Sequence, residues 1–104
     1  MMSFHVVATL HDLADTPAIQ IDFAGEQVGI FRCGTQYFAT SNICTHAYAE
    51  LHEGELDVDD CTIECPLHGA RFDLASGRPR SLPATEPLKV YSLKIEGDQI
   101  LLEA

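Results

Sequence analysis

An all-β fold is what this sequence predicts, and two observations carry it. Short apolar alternations separated by Gly, Asp and Asn recur along the whole length. No stretch keeps a 3.6-residue period beyond two turns. The most turn-rich segment, Asp73 to Pro87, carries Gly77, Pro79, Pro83 and Pro87, which excludes a central strand there and leaves a loop with little regular structure.

Taken in order, Ile19, Ile21 and Phe23 alternate with Gln20 and Asp22 and predict a strand. Ala24-Gly25-Glu26 turns the chain into Val28 to Cys33, the second arm of a hairpin. Gly34-Thr35-Gln36 turns it again, into Tyr37 to Asn42. Near the C-terminus Tyr91, Leu93 and Ile95 are expected to share one face, Gly97-Asp98 to make a tight turn, and Gln99 to Leu102 to return antiparallel. Between these ends, Ile43 to Asp60 is rich in His, Gly and acids and lacks alternation, so it reads as an insertion. No internal repeat or linker interrupts the 104 residues, which fit one domain.

Six Lys and Arg face sixteen Asp and Glu, a formal net charge of −10. That balance argues against nucleic acid and anionic membranes as partners, because neutralising phosphates needs a basic surface. No apolar run approaches the roughly 20 residues that span a bilayer. The first basic residue is Arg32, and the N-terminal segment lacks the pattern of a secretory leader, so a cytoplasmic location is expected. In that setting Cys33, Cys44, Cys61 and Cys65 are expected as metal ligands or buried thiols rather than disulfide partners.

The informative feature is a pair of Cys/His motifs. Cys44-Thr45-His46 and Cys65-Pro66-Leu67-His68 are separated by the 18 residues from Ala47 to Glu64. Two thiolates and two imidazoles suit one tetrahedral zinc or a two-iron cluster, and their number alone does not choose. Spacing adds to the argument: C-x-H is tighter than the usual zinc knuckle, and each loop mixes one sulfur with one nitrogen, which suits a binuclear centre. Pro66 stiffens the second loop, and Gly69 allows a sharp turn after His68.

With C-T-H followed by E-C-P-L-H-G-A-R-F-D, residues 44 to 73 closely resemble the two cluster-binding loops of Rieske [2Fe–2S] proteins. The flanking β pattern is compatible over most of the chain, and the Pro83 segment is similar to the family's third, cluster-covering loop. The resemblance implies one antiparallel β-sandwich or barrel over residues 1–104, with a small inserted cluster-binding subdomain at approximately 43–73. It implies that Cys44 and Cys65 ligate an inner iron of one [2Fe–2S] cluster, and His46 and His68 an outer, more exposed iron. Respiratory Rieske proteins carry an additional, disulfide-bonded cysteine in each loop; here those positions are Ala49 and Leu67. They also carry a Ser and a Tyr after the second His, where this chain has Ala70 and Phe72.

The pattern is more similar to the soluble Rieske ferredoxins of bacterial aromatic-ring-hydroxylating dioxygenase systems. That resemblance implies an electron carrier without catalysis of its own, between a flavin-dependent reductase and a terminal oxygenase. The mononuclear iron site of an oxygenase has no residues left to build it, since the remaining histidines are His5, His11 and His52. Two alternatives stand beside this reading: a subunit of another oxidoreductase such as a nitrite reductase, and a zinc-stabilised interaction module.

The other candidates have plainer expectations. Cys33 and Cys61 are expected as inert buried thiols, and His5, His11 and His52 as surface or locally hydrogen-bonded side chains. Seven acids (Glu50, Glu53, Glu55, Asp57, Asp59, Asp60 and Glu64) lie between the motifs. Such a run is ordinarily a solvated face, but its position beside the redox centre suggests a part in docking, with Arg78 and Arg80 offsetting it locally.

Overall fold

The computed structural model describes residues 3–45, 48–67, 69–82 and 84–104; His46, His68 and Pro83 lie outside the described residues. In chain order the strands are β1 (Phe4–Thr9), β2 (Ala18–Phe23), β3 (Glu26–Cys33), β4 (Gln36–Ser41), β5 (Leu56–Asp57), β6 (Thr62–Glu64), β7 (Arg71–Asp73), β8 (Val90–Tyr91), β9 (Leu93–Glu96) and β10 (Gln99–Glu103). They form three sheets, ordered β1-β10-β9, β2-β3-β4-β8 and β5-β6-β7, with every pairing antiparallel. Two short 3-10 turns, Leu10–Leu13 and Leu51–Glu53, complete the regular structure of the described residues.

The β3 strand organises the interior because it is buried on both faces, which its consecutive buried residues Val28, Gly29, Ile30 and Phe31 allow. Alternation sends Val28 and Ile30 into one core with Leu13, Ile100 and Leu102. Phe31 points the other way, into a second core with Leu51, Ile63, Phe72 and Leu74. The four-stranded sheet therefore sits between the β1-β10-β9 sheet and the β5-β6-β7 subdomain. Full burial of a side chain such as Phe31 contributes about 1.5–3 kcal/mol. At the edge of this sheet Lys89 Nζ and Tyr91 Oη both donate to Glu26, holding β8 against the β2-β3 hairpin. Those bonds keep the exposed Glu26 carboxyl below the ordinary carboxylate range.

The expected strands at 19–23, 28–33, 37–42 and 99–102 are present as β2, β3, β4 and β10. The chain between β4 and β8 builds the separate β5-β6-β7 sheet, whose strands β6 and β7 lie beyond the stretch Ile43 to Asp60 that reads as an insertion. One expectation needs correction, and one strand was not anticipated. Tyr91 does not share a strand with Leu93 and Ile95: it pairs with Ala39 in the four-stranded sheet, while Leu93 pairs with Leu102 in the other. The chain changes sheets at Ser92, and a period-2 pattern runs through such a crossing unbroken. The β1 strand was unexpected, because a register shift between Val6 and Ala8 breaks its alternation.

A larger correction concerns the cysteines. Cys33 and Cys61 are not inert thiols but form a disulfide, with Cα atoms 5.8 Å apart. Cys33 ends β3, and Cys61 immediately precedes β6 with its backbone in the left-handed region (φ 53°).

Candidate metal centre

Each of the other two cysteines opens a loop, and the two loops are closed alike. Cys44 N–H donates to the Ala49 carbonyl (3.0 Å), and Cys65 N–H to the Ala70 carbonyl (2.7 Å). One residue outside each closure, Ile43 bridges to Glu50 and Glu64 pairs with Arg71, both antiparallel. Each Cys/His motif thus falls, in sequence, within a six-residue excursion clamped at its neck by a short antiparallel ladder. Gly69 ends the second excursion at φ 75°, a conformation that disfavours any residue with a Cβ. Its N–H also donates to the Cys65 carbonyl (3.0 Å), tightening the turn.

The neck of the first loop is further held by Asn42, which is fully buried. Its Oδ1 accepts from His52 N–H (2.9 Å), and its Nδ2 donates to Gln20 Oε1 (2.9 Å) and to His52 Nδ1 (2.8 Å). Its backbone N–H donates to the Gln27 carbonyl, and its carbonyl accepts from Leu51 N–H. Every polar atom of Asn42 is used, as burial demands. His52 is thereby a structural partner of the loop, as expected of a locally bonded histidine, and His5 likewise bonds Ser3 Oγ. Gly54 lets the first loop's return path approach β6, since a Cβ there would collide with the Glu64 carbonyl oxygen.

The segment from Pro79 to Pro87 lies against both loops. Thr45 Oγ1 donates to the Glu86 carbonyl (2.8 Å), Arg71 N–H to Ser81 Oγ (3.0 Å), and Arg80 N–H to the Arg71 carbonyl (2.7 Å). Ala84 and Leu88 join Cys44 and Cys65 in one buried cluster. These are the contacts of the segment expected to cover a cluster; Pro83 itself lies outside the described residues.

Cys44 and Cys65 are buried, stand outside the disulfide and head two adjacent loops. Such a donor pair fits the sulfur side of a mixed-ligand iron centre, whose thiolates need protection from solvent. The histidines of both motifs, His46 and His68, lie outside the described residues. Around the cysteines the donors expected of high-potential proteins are absent from the side chains: Ala70 and Phe72 are both fully buried and carry no hydroxyl, and the positions of the extra disulfide are Ala49 and an exposed Leu67.

The Rieske [2Fe-2S] domain family model matches residues 3–92. The chain belongs to the Rieske [2Fe–2S] family. The 3-phenylpropionate/cinnamic acid dioxygenase ferredoxin subunit of Escherichia coli K12 is 38% identical over 92 residues, covering 88% of this chain and 85% of the relative. Among solved structures, the ferredoxin of carbazole 1,9a-dioxygenase from Nocardioides aromaticivorans IC177 superposes with a TM-score of 0.90 at 37% identity, over 96% of each chain. The ferredoxin-like match in a complex of reduced oxygenase and oxidised ferredoxin of carbazole 1,9a-dioxygenase has a TM-score of 0.85 at 33% identity, over 95% of this chain and 91% of that one. This Rieske protein is accordingly a dioxygenase-type ferredoxin, an electron carrier rather than a catalyst, and its cofactor is a single Rieske-type [2Fe–2S] cluster.

Around the centre the acidic run divides into two parts. Asp57 and Glu64 face Arg71, at 4.0 and 3.3 Å, and Asp60 accepts from Thr62 Oγ1. Arg71, not Arg78 or Arg80, is therefore the cation that offsets the run; Arg80 pairs with Asp73 instead (3.5 Å). Glu50 and Glu53 line a shallow cleft of about 260 Å3 with Tyr48, Ala49, Pro66 and Leu67. Tyr48 and Leu67 are 79% and 57% exposed, so the two loop tips present apolar side chains beside two carboxylates.

Two predictions follow from this geometry. Asn42→Ala strands the buried groups it serves and should lower stability by about 2–3 kcal/mol in denaturant unfolding. A loss below about 0.5 kcal/mol would show that water takes over its bonds. With no side-chain hydroxyl donated by positions 70 and 72, the reduction potential should fall near about −150 mV rather than about +300 mV by voltammetry. The double variant Ala70→Ser/Phe72→Tyr should move it upward.

Proposed function

We propose that Cys44, His46, Cys65 and His68 hold the cluster, and that the chain, one Rieske domain over residues 1–104 with its cluster-binding part at approximately 43–73, passes single electrons from a reductase to the terminal oxygenase of a multicomponent aromatic-ring dioxygenase. The observation that carries the ligand assignment is the matched pair of clamped loops, each headed by a buried cysteine and each containing one histidine in sequence. When bound, a [2Fe–2S] cluster supplies a one-electron couple, and imidazole in place of thiolate on one iron makes it easier to reduce.

The chain's own residues prepare that couple for exchange. Burial of Cys44 and Cys65 excludes water from the sulfur side. The exposed loop tips, Tyr48, Pro66 and Leu67, offer a small apolar contact that suits a transient partner, whose interface buries less than about 1,200 Å2. Glu50 and Glu53 beside that contact, within a chain of net charge −10, favour partners with basic surfaces. A complex of oxygenase with ferredoxin in the carbazole 1,9a-dioxygenase system supports the oxygenase as one partner. The reductase is assigned as flavin-dependent and the location as cytoplasmic; among the described residues no helix is long and apolar enough to cross a membrane.

Purified protein should be red-brown and contain about two irons and two acid-labile sulfides per chain. His46→Ala and Cys65→Ala should each bleach the visible spectrum and, because metal binding is coupled to folding, lose stability. Full colour in both variants would refute the ligand set.

Docking is tested separately by stopped-flow reduction of the oxygenase. Raising salt so that the Debye length falls from about 10 Å to about 3 Å should slow transfer. Neutralising Glu50, Glu53 and Glu55 together should weaken that salt dependence more than neutralising Glu96, Asp98 and Glu103 on the β9-β10 hairpin. Equal effects would mean that only total charge matters.

A further inference from the structure

The disulfide stands in a particular relation to the two cysteine loops. From Cys33 the chain turns into β4 and reaches Cys44 eleven residues on; from Cys61 it runs through β6 and reaches Cys65 four residues on. The two strands thus lead from the two ends of one covalent bond to the two loop cysteines. Among the described residues no β-ladder joins the sheet of β4 to the sheet of β6. They meet through apolar packing of Phe31 with Ile63 and Leu74, and through the Asn42 bonds to the 3-10 turn at Leu51–Glu53. Among the described residues the bridge is the covalent tie between them besides the chain itself, and it sits at the end of β6 remote from Cys65. Cys61 is further anchored by its carbonyl, which accepts from Leu74 N–H (3.0 Å).

We propose that the Cys33–Cys61 disulfide is a positioning element for the metal centre and a point at which a dithiol reductant controls cluster retention. The inference rests on Cys44 and Cys65 as ligands. With the cluster in place, the path Cys33, β4, Cys44, cluster, Cys65, β6, Cys61 closes into a ring through the disulfide. The bridge limits how far the two loops can separate, so loss of the cluster from a bridged chain requires distortion within one loop rather than parting of the two sheets.

Opening follows ordinary exchange chemistry. A thiolate of the dithiol attacks the sulfur of Cys61, a half-buried residue, rather than that of Cys33, a residue only 4% exposed. The S–S bond breaks, a mixed disulfide forms, and the second thiol of the reductant displaces Cys61. Two electrons pass from the dithiol to the bridge, two protons end on the Cys33 and Cys61 thiols, and the reductant leaves as its own disulfide. Compartments rich in dithiols are where intracellular disulfides are scarce, so a bridge in such a setting is in reach of this reaction.

The test combines thiol counting with the rate of bleaching by an iron chelator. Holo-protein unfolded with iodoacetamide and chelator, without reductant, should take two alkyl groups, on Cys44 and Cys65, and two more only after dithiothreitol. Four groups without reductant would overturn the bridge. Folded Cys33→Ala/Cys61→Ala protein, loaded with iron and sulfide, should bleach several-fold faster than wild type. Dithiothreitol should bring wild type to the variant's rate and leave the variant's own rate unchanged. Leu102→Ala, which weakens the core on the opposite face of β3, serves as the control for global stability and should bleach like wild type. Equal rates for the double variant and wild type, or a Leu102→Ala rate matching the double variant, would overturn the positioning role. Wild-type protein that binds no iron would instead refute the ligand assignment, and is detected by metal analysis before any chelator is added.

Discussion

The closure of each cysteine loop by its own backbone is the constraint on which the rest depends. A cysteine N–H bonded to the carbonyl five residues on, with an antiparallel pair just outside it, recurs at Cys44 and at Cys65. An excursion that short has few conformations, so less ordering entropy opposes the binding of a ligand there. Everything near the loops serves the two necks. Asn42 and the Leu51–Glu53 turn brace the first, β6 and β7 form the second, and the segment around Ser81 and Glu86 bonds to both.

The two-core arrangement explains how so small a chain supports this subdomain. A three-stranded sheet of two- and three-residue strands cannot bury enough surface to stand alone. Phe31 supplies the missing apolar partner from the neighbouring sheet, and Ile63, Phe72 and Leu74 pack around it. The same strand sends Val28 and Ile30 into the opposite core, so the site and the scaffold share β3. Charge is organised at the same scale: Arg71 holds Asp57 and Glu64 within the subdomain, and leaves Glu50 and Glu53 beside the exposed apolar tips.

Much of this was legible in the residues. Alternation located β2, β3, β4 and β10, because those strands have one face in a core or, for β3, a short continuous buried run. The Cys/His spacing pointed to the metal centre because ligand chemistry demands particular side chains at short intervals. What stayed hidden depends on pairing across distance. The crossing at Ser92 preserves period-2 alternation, so nothing local distinguishes Tyr91 from Leu93. Cys33 and Cys61 are 28 residues apart, and no local pattern announces their bond; the one available signal was that neither belongs to a Cys/His motif. Asn42 looked like the polar end of a strand, whereas its burial beneath the 3-10 turn makes it a hub. Arg71 rather than Arg78 or Arg80 meets the acids because β7 pairs with β6 and brings it beside Glu64.

The central claim is that two sulfurs and two imidazoles from these loops share one two-iron centre. Pulsed electron–nuclear resonance on the reduced protein, with histidine labelled by nitrogen-15, tests it most directly. The account predicts strong couplings from two histidine nitrogens, changing with the label, and the loss of one coupling set in any His46 or His68 variant that still retains iron. A paramagnetic centre with no histidine nitrogen coupling would contradict it.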